Sequence, residues 1–266
     1  MGVLTAIKCE EIYDINDLIH IMERLRGPGG CPWDREQTHI SIRRNFIEET
    51  YEAVQAIDNG DTALLKEELG DVLLQVMFHA QLGAETGDFD FADVCDGVCR
   101  KLIRRHPHVF GEKTADTSTS ALKNWEEAKK AEKPREPTSN TLNGISRSLP
   151  SLMRSEEVQS KAAKSGFDYP SAEWAMRDMH SEVKELIEAI DGSDKAAVEE
   201  ELGDLLFSVV NVARFAKADP EHCLAKACDK FISRFEQVEK LAAIRGVDIK
   251  TADINLLDCL WQDAKK

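Results

Sequence analysis

The amino-acid sequence predicts an all-α fold built from two tandem helical modules, and three observations carry that reading. Apolar residues recur at three- and four-residue spacing. No stretch alternates with period two for more than a few residues. One long segment also occurs twice. The 266 residues suffice for two hydrophobic cores, and 42% apolar with 31% charged residues is a globular composition.

The repeat defines the modules. Residues 46–85 and 179–218 align without a gap, sharing Ala-Ile-Asp (56–58 and 189–191) and Glu-Glu-Leu-Gly-Asp (67–71 and 200–204). Cys99, Lys101, Ile103 and Arg105 fall on Cys228, Lys230, Ile232 and Arg234 once the intervening loop is shortened. Trp125-Glu-Glu-Ala-Lys-Lys matches Trp261-Gln-Asp-Ala-Lys-Lys, and Trp33-Asp34 pairs with Phe167-Asp168. The modules are expected at 1–131 and 151–266. A linker rich in Pro, Ser, Thr and Asn is expected over 132–150.

About four helices are expected per module. Phe46, Val54 and Ile57, then Leu65, Leu69, Val72, Leu73, Val76 and Met77, follow helical spacing and are expected to form apolar faces. Asn59-Gly60 and Gly192-Ser193 supply turns, after which Asp61 and Asp194 can cap the next helix. Asp219-Pro220 reads as a further helix start.

The first of these helices carries Glu48, Glu49 and Glu52, and the second carries Glu67, Glu68 and Asp71. Residues three or four apart share a helix face, so Glu49 with Glu52, and Glu68 with Asp71, form pairs. Glu52 and Glu68 stand equally far from Gly60, as do Glu49 and Asp71. An antiparallel hairpin therefore brings four carboxylates together at two levels. Glu182, Glu185, Glu201 and Asp204 repeat the pattern about Ser193.

Such strings are ordinarily solvated helix faces. The flanking apolar run, the glycines at Gly70 and Gly203 that suggest a close approach, and the duplication favour a metal site instead. Converging like charges require a cation, and oxygen-only ligands suit Mg²⁺ or Mn²⁺ rather than zinc. A di-iron centre would need Glu-x-x-His motifs, which neither module has. His79 and His180 lie at the wrong spacing and read as packing or surface residues.

Net charge and cysteine usage narrow the class. A charge of −15 disfavours binding nucleic acid by its backbone, although a metal and a few local cations can still hold a nucleotide. Seven cysteines without a CxxC pair read as free thiols in a reducing compartment. No leader-like or membrane-spanning run occurs, so a cytoplasmic location without membrane association is expected.

Together with Gly30-Cys-Pro-Trp-Asp34, Arg104-Arg-His-Pro-His-Val-Phe110, Arg147-Ser-Leu-Pro-Ser-Leu-Met-Arg154 and Gly166-Phe-Asp168, these carboxylates resemble the MazG family of nucleotide pyrophosphohydrolases over essentially the full length. The resemblance implies an all-α fold related to the dUTPase-like NTP pyrophosphatases and homodimerisation. It also implies Mg²⁺-dependent hydrolysis of nucleoside triphosphates to the monophosphate and pyrophosphate. In the C-terminal module it implies that Glu182, Glu185, Glu201 and Asp204 are the catalytic metal ligands, with Glu200 close to the nucleotide. Lys230 and Arg234 would be phosphate cations, Trp261 the aromatic against the nucleotide, and Lys265 a last positive contact.

Glu48, Glu49, Glu52, Glu68, Asp71, Lys101 and Arg105 form a second candidate site in the N-terminal module. That module keeps the complete acidic motif, whereas Ser181 replaces its first glutamate in the C-terminal one. Asp178 and Ala197 stand where related sequences often carry lysines, with Arg177 and Lys195 nearby. The resemblance nevertheless places catalysis in the C-terminal module. The rival reading is a non-catalytic helical protein that binds a metal or nucleotide for regulation or interaction.

Overall fold

The computed structural model describes residues 12–132 and 138–265, and every regular element among them is helical. The chain forms two compact units, Met1–Pro134 and Arg135–Lys266. Most of the stretch expected as a linker thus falls in the second unit.

The first unit contains α1 (Ile15–Arg26), α2 (Pro32–Glu36), α3 (Arg43–Asn59), α4 (Thr62–Thr86), α5 (Phe91–Arg105), α6 (Pro107–Phe110) and α7 (Ser118–Ala131). Two of the seven are short extra helices started by Pro32 and Pro107, where a missing N–H costs nothing. Asp14, Asp90 and Thr117 close capping boxes at α1, α5 and α7. The α3–α4 hairpin turns at Gly60, whose φ of 66° is left-handed, and Asp61 then caps α4 as expected.

The second unit contains α8 (Thr138–Asn143), α9 (Ser151–Lys164), α10 (Ala172–Asp191), α11 (Lys195–Ala216), α12 (Pro220–Arg245) and α13 (Ile254–Asp263). Asp194 and Asp219 cap α11 and α12, again as expected. In the α10–α11 turn the left-handed residue is Ser193 at φ 56°, while Gly192 keeps a right-handed conformation at φ −71°. Helix α8 packs on α9, which also contacts α11 and α12.

Each hairpin buries less than its periodicity suggests. Met22, Ile42, Met77, Phe78 and Leu82 form the core of the first unit, where α1 and α4 meet. Val238, Ala242 and Leu260 form a cluster between α12 and α13. Val54, Ile57, Leu69 and Leu73 were expected on apolar faces, yet all four are exposed in the isolated chain. Ile187, Ile190, Leu202 and Leu206 repeat that exposure at the equivalent positions. No helix among the described residues is long and apolar enough to cross a membrane.

Candidate functional site

The hairpins bring the acidic residues together as the spacing predicts, though three at a time. In the first unit one carboxylate oxygen each from Glu49, Glu68 and Asp71 lies within 4.8 Å of the others. Glu182, Glu201 and Asp204 do the same in the second unit. Glu68 is only 8% exposed, unusual for an acid that forms no ion pair among the described residues.

Loss of solvation, followed by repulsion from Glu52 and Asp71, holds the Glu68 carboxyl above the ordinary range. Glu49 is raised in the same way, by burial first and then by Asp71 and Glu52. In the second unit Glu182 is raised by burial and then by Glu185, and Glu201 by burial and then by Glu185 and Asp204. Glu52 and Glu185 thus stand outside the tight groups but within their fields. The donor set fits a hard divalent cation, since bringing one in would turn this mutual repulsion into attraction.

Several side chains around the groups are held by contacts that the motif alone did not reveal. Arg44 donates to Glu48 at 2.7 Å, so Glu48 is engaged within its own helix. Ser181, at the position of the missing glutamate, donates to Glu185 at 3.0 Å and so orients a neighbouring acid. Glu200 is exposed beside Glu201. Gly70 and Gly203 face open space among the described residues, so the close approach expected of them does not occur within the chain. His79 stacks on His39 with ring centroids 5.0 Å apart, a packing role consistent with its spacing, while His180 bonds the carbonyl of Met176.

Arginines fix the motifs that lead into each module. The nearly buried Arg26 donates to Glu85 at 2.7 Å and to the carbonyls of Asp34 and Gln37, tying the Gly30–Asp34 motif to α4. Arg214 of α11 clamps the Asp168 carboxylate and so holds the Gly166–Asp168 motif. Different helices supply the clamp in the two repeats.

The expected cations and aromatics are placed differently in the two units. Arg105 forms a two-pronged ion pair with Glu132 at 2.7 and 2.9 Å and lies over the ring of Trp125. Lys129 covers the same ring. In the second unit Trp261 packs instead on Phe231, with centroids 5.2 Å apart, against the α12–α13 cluster. Lys265 donates to Gln262. Among the described residues Lys230 and Arg234 form no ion pair, and none joins Lys101, Lys230, Arg234 or Lys265 to the acidic groups.

Comparisons with known proteins agree with this geometry. A family model described as the MazG nucleotide pyrophosphohydrolase domain matches residues 37–110 and 171–239, one segment in each repeat and together more than half of the chain. The chain is 45% identical to the nucleoside triphosphate pyrophosphohydrolase/pyrophosphatase MazG of Thermotoga maritima, covering 94% of each protein. It is 42% identical to the nucleoside triphosphate pyrophosphohydrolase of Escherichia coli K12, covering 95% of this chain and 97% of that one. An uncharacterized Bacillus subtilis protein, YabN, is 43% identical over 99% of this chain and 54% of its own length. The duplicated acidic hairpins therefore sit in a chain that belongs to the MazG nucleotide pyrophosphohydrolase family.

Proposed function

We propose that this chain hydrolyses nucleoside triphosphates to the monophosphate and pyrophosphate, by attack of water at the α-phosphate. The observation that carries the reading is the convergence of Glu182, Glu201 and Asp204 within 4.8 Å, with Asp204 exposed and the two glutamates partly buried. Relatives named as nucleoside triphosphate pyrophosphohydrolases, matched over nearly their whole length, support it.

In this proposal Glu182, Glu185, Glu201 and Asp204 hold Mg²⁺, or Mn²⁺ in its place. When bound, the ion supplies positive charge to the phosphate oxygens. The carboxylates keep that charge part-way along the α10–α11 hairpin, away from its turn. Ser181 orients Glu185 within the set. Lys230 and Arg234, one helical turn apart on α12, add cationic charge for the phosphates. Trp261 offers an aromatic face to the base, Lys265 adds a cation near it, and Glu200 lies beside the nucleotide.

Base discrimination is expected to be weak, because stacking on one ring is tolerant of base identity. Glu48, Glu49, Glu52, Glu68, Asp71, Lys101 and Arg105 constitute a second site that does not lead turnover. The protein is proposed to be a homodimer that works in the cytoplasm, where the six described cysteines, all unpaired, would remain reduced.

The test is pyrophosphate release from several nucleoside triphosphates with and without Mg²⁺. Metal-dependent release is expected for each of them. No release above background from any substrate would leave the rival reading, a non-catalytic nucleotide- or metal-binding protein.

A further inference from the structure

The two modules differ most where the repeat aligns their cations. Arg234 of the second unit has no ion pair among the described residues, whereas its counterpart Arg105 is fully engaged. Glu132, one residue beyond α7, accepts hydrogen bonds from Arg105 at 2.7 and 2.9 Å and from Arg104 at 2.8 Å. The Glu132 and Arg105 side chains are only 15% and 17% exposed. Trp125 and Lys129, which align with Trp261 and Lys265, adjoin this contact: Arg105 lies over the Trp125 ring, and Lys129 covers the same ring.

The chemistry of this contact is that of anion recognition. A planar guanidinium binds a carboxylate through two parallel N–H donors, and the same fork binds two oxygens of a phosphate. Arg104 supplies a third donor to the same carboxylate, so that two cations face one anion. An open groove of about 740 Å³ adjoins the contact, lined in part by Arg104, Lys113, Glu127 and Glu132. Phosphate oxygens entering that groove would compete with Glu132 for these donors.

We propose that Glu132 is a built-in stand-in for a phosphate group, occupying the seat that Arg104 and Arg105 would otherwise offer to the polyphosphate of a nucleotide. The contact holds the N-terminal site closed and accounts for catalysis by the module whose acidic motif is the less complete. This rests on the proposed role of Arg105 as a phosphate cation of the second site. A simple strut between α5 and α7 predicts only a loss of stability when Glu132 is changed. A stand-in predicts a gain of anion binding.

The experiment titrates inorganic pyrophosphate with Mg²⁺ into the full chain by calorimetry, for the wild type, Glu132→Gln, and Glu132→Gln combined with Arg105→Gln. Glu132→Gln is expected to bind one equivalent more than the wild type, and the double variant to return to the wild-type count. An unchanged count in Glu132→Gln, or an extra equivalent that persists without Arg105, overturns the proposal. Should Glu132→Gln fail to fold, Glu132→Asp retracts the charge by one methylene and must show the extra equivalent at lower affinity. Its absence there overturns the proposal equally. The readout requires no turnover, so its outcome is separable from that of the pyrophosphate-release assay.

Discussion

At the scale of single residues, the acids of the two hairpins are defined by a balance between burial and repulsion. Glu68 is 8% exposed while the adjacent Leu69 is 54% exposed, which reverses the usual order and marks Glu68 as more than a solubilising charge. If the C-terminal group is the working one, Glu201→Ala or Asp204→Ala should lower kcat by about 100-fold or more, the scale of losing one preorganised charged group. Glu68→Ala should leave turnover within about threefold, since the change then lies outside the working site. Steady-state kinetics on the three variants checks this, and the reverse pattern would move catalysis to the N-terminal module.

Glu132 titrates in the opposite sense to Glu68. Its hydrogen bonds from Arg105 and then Arg104 lower its pKa to about 2 in the folded chain. A depressed carboxyl contributes stability that is fully present above its unfolded value, near 4.5, and is lost as pH falls towards 2. The wild type should therefore unfold at higher urea than Glu132→Gln at pH 7, and the gap should shrink by pH 3. A gap independent of pH would show that the contact contributes through shape rather than charge. Three acids of each expected quartet were legible in the sequence because their spacing about a turn is a local property, whereas Glu52 and Glu185 stand outside the tight groups. The engagement of Glu132 was not, because it depends on where the end of α7 meets α5, and no pattern in the chain encodes that meeting.

At the scale of helices and turns, local chemistry accounts for most boundaries. Asp61, Asp194 and Asp219 cap the helices that the sequence assigned to them, and Gly60 takes the left-handed position at the end of α3. The second hairpin departs from this pattern. Its left-handed residue is Ser193, although a glycine stands one position earlier. Gly192, the C-cap of α10, thus keeps a right-handed backbone and the chain reverses one residue later. A side chain in this conformation costs about 1 kcal/mol, which glycine avoids. Ser193→Gly should therefore stabilise the chain by up to about 1 kcal/mol in chemical denaturation, with the midpoint raised and the slope unchanged. A loss of stability would mean that the Ser193 side chain makes a compensating contact. The short helices α2, α6 and α8 escaped the sequence reading for the opposite reason: four to six residues are too few to display a period.

At the scale of the whole molecule, the repeat explains a surplus of apolar surface. Val54, Ile57, Leu69 and Leu73 align with Ile187, Ile190, Leu202 and Leu206, and all eight are exposed. Periodicity marked Val54, Ile57, Leu69 and Leu73 as apolar-face positions, but it carried no information on what covers such a face, and the chain itself leaves them exposed. A stripe that recurs in both modules at spacings three or four apart has the form of a helix-packing seam, not of scattered surface residues. Covering one leucine contributes about 1.5–3 kcal/mol, so two such stripes can offset the entropy of association. The expected state is a homodimer, with twice the chain mass by light scattering. Leu202→Asp with Leu206→Asp should shift it towards monomer, because two buried charges facing an apolar partner have no counter-ion. The acids of α10 and α11 share a hairpin with these leucines, so loss of the dimer should also weaken the Mg²⁺ binding proposed for them by loosening the hairpin. A wild-type chain that scatters as a monomer would remove the partner from this account and leave the exposed stripes unexplained.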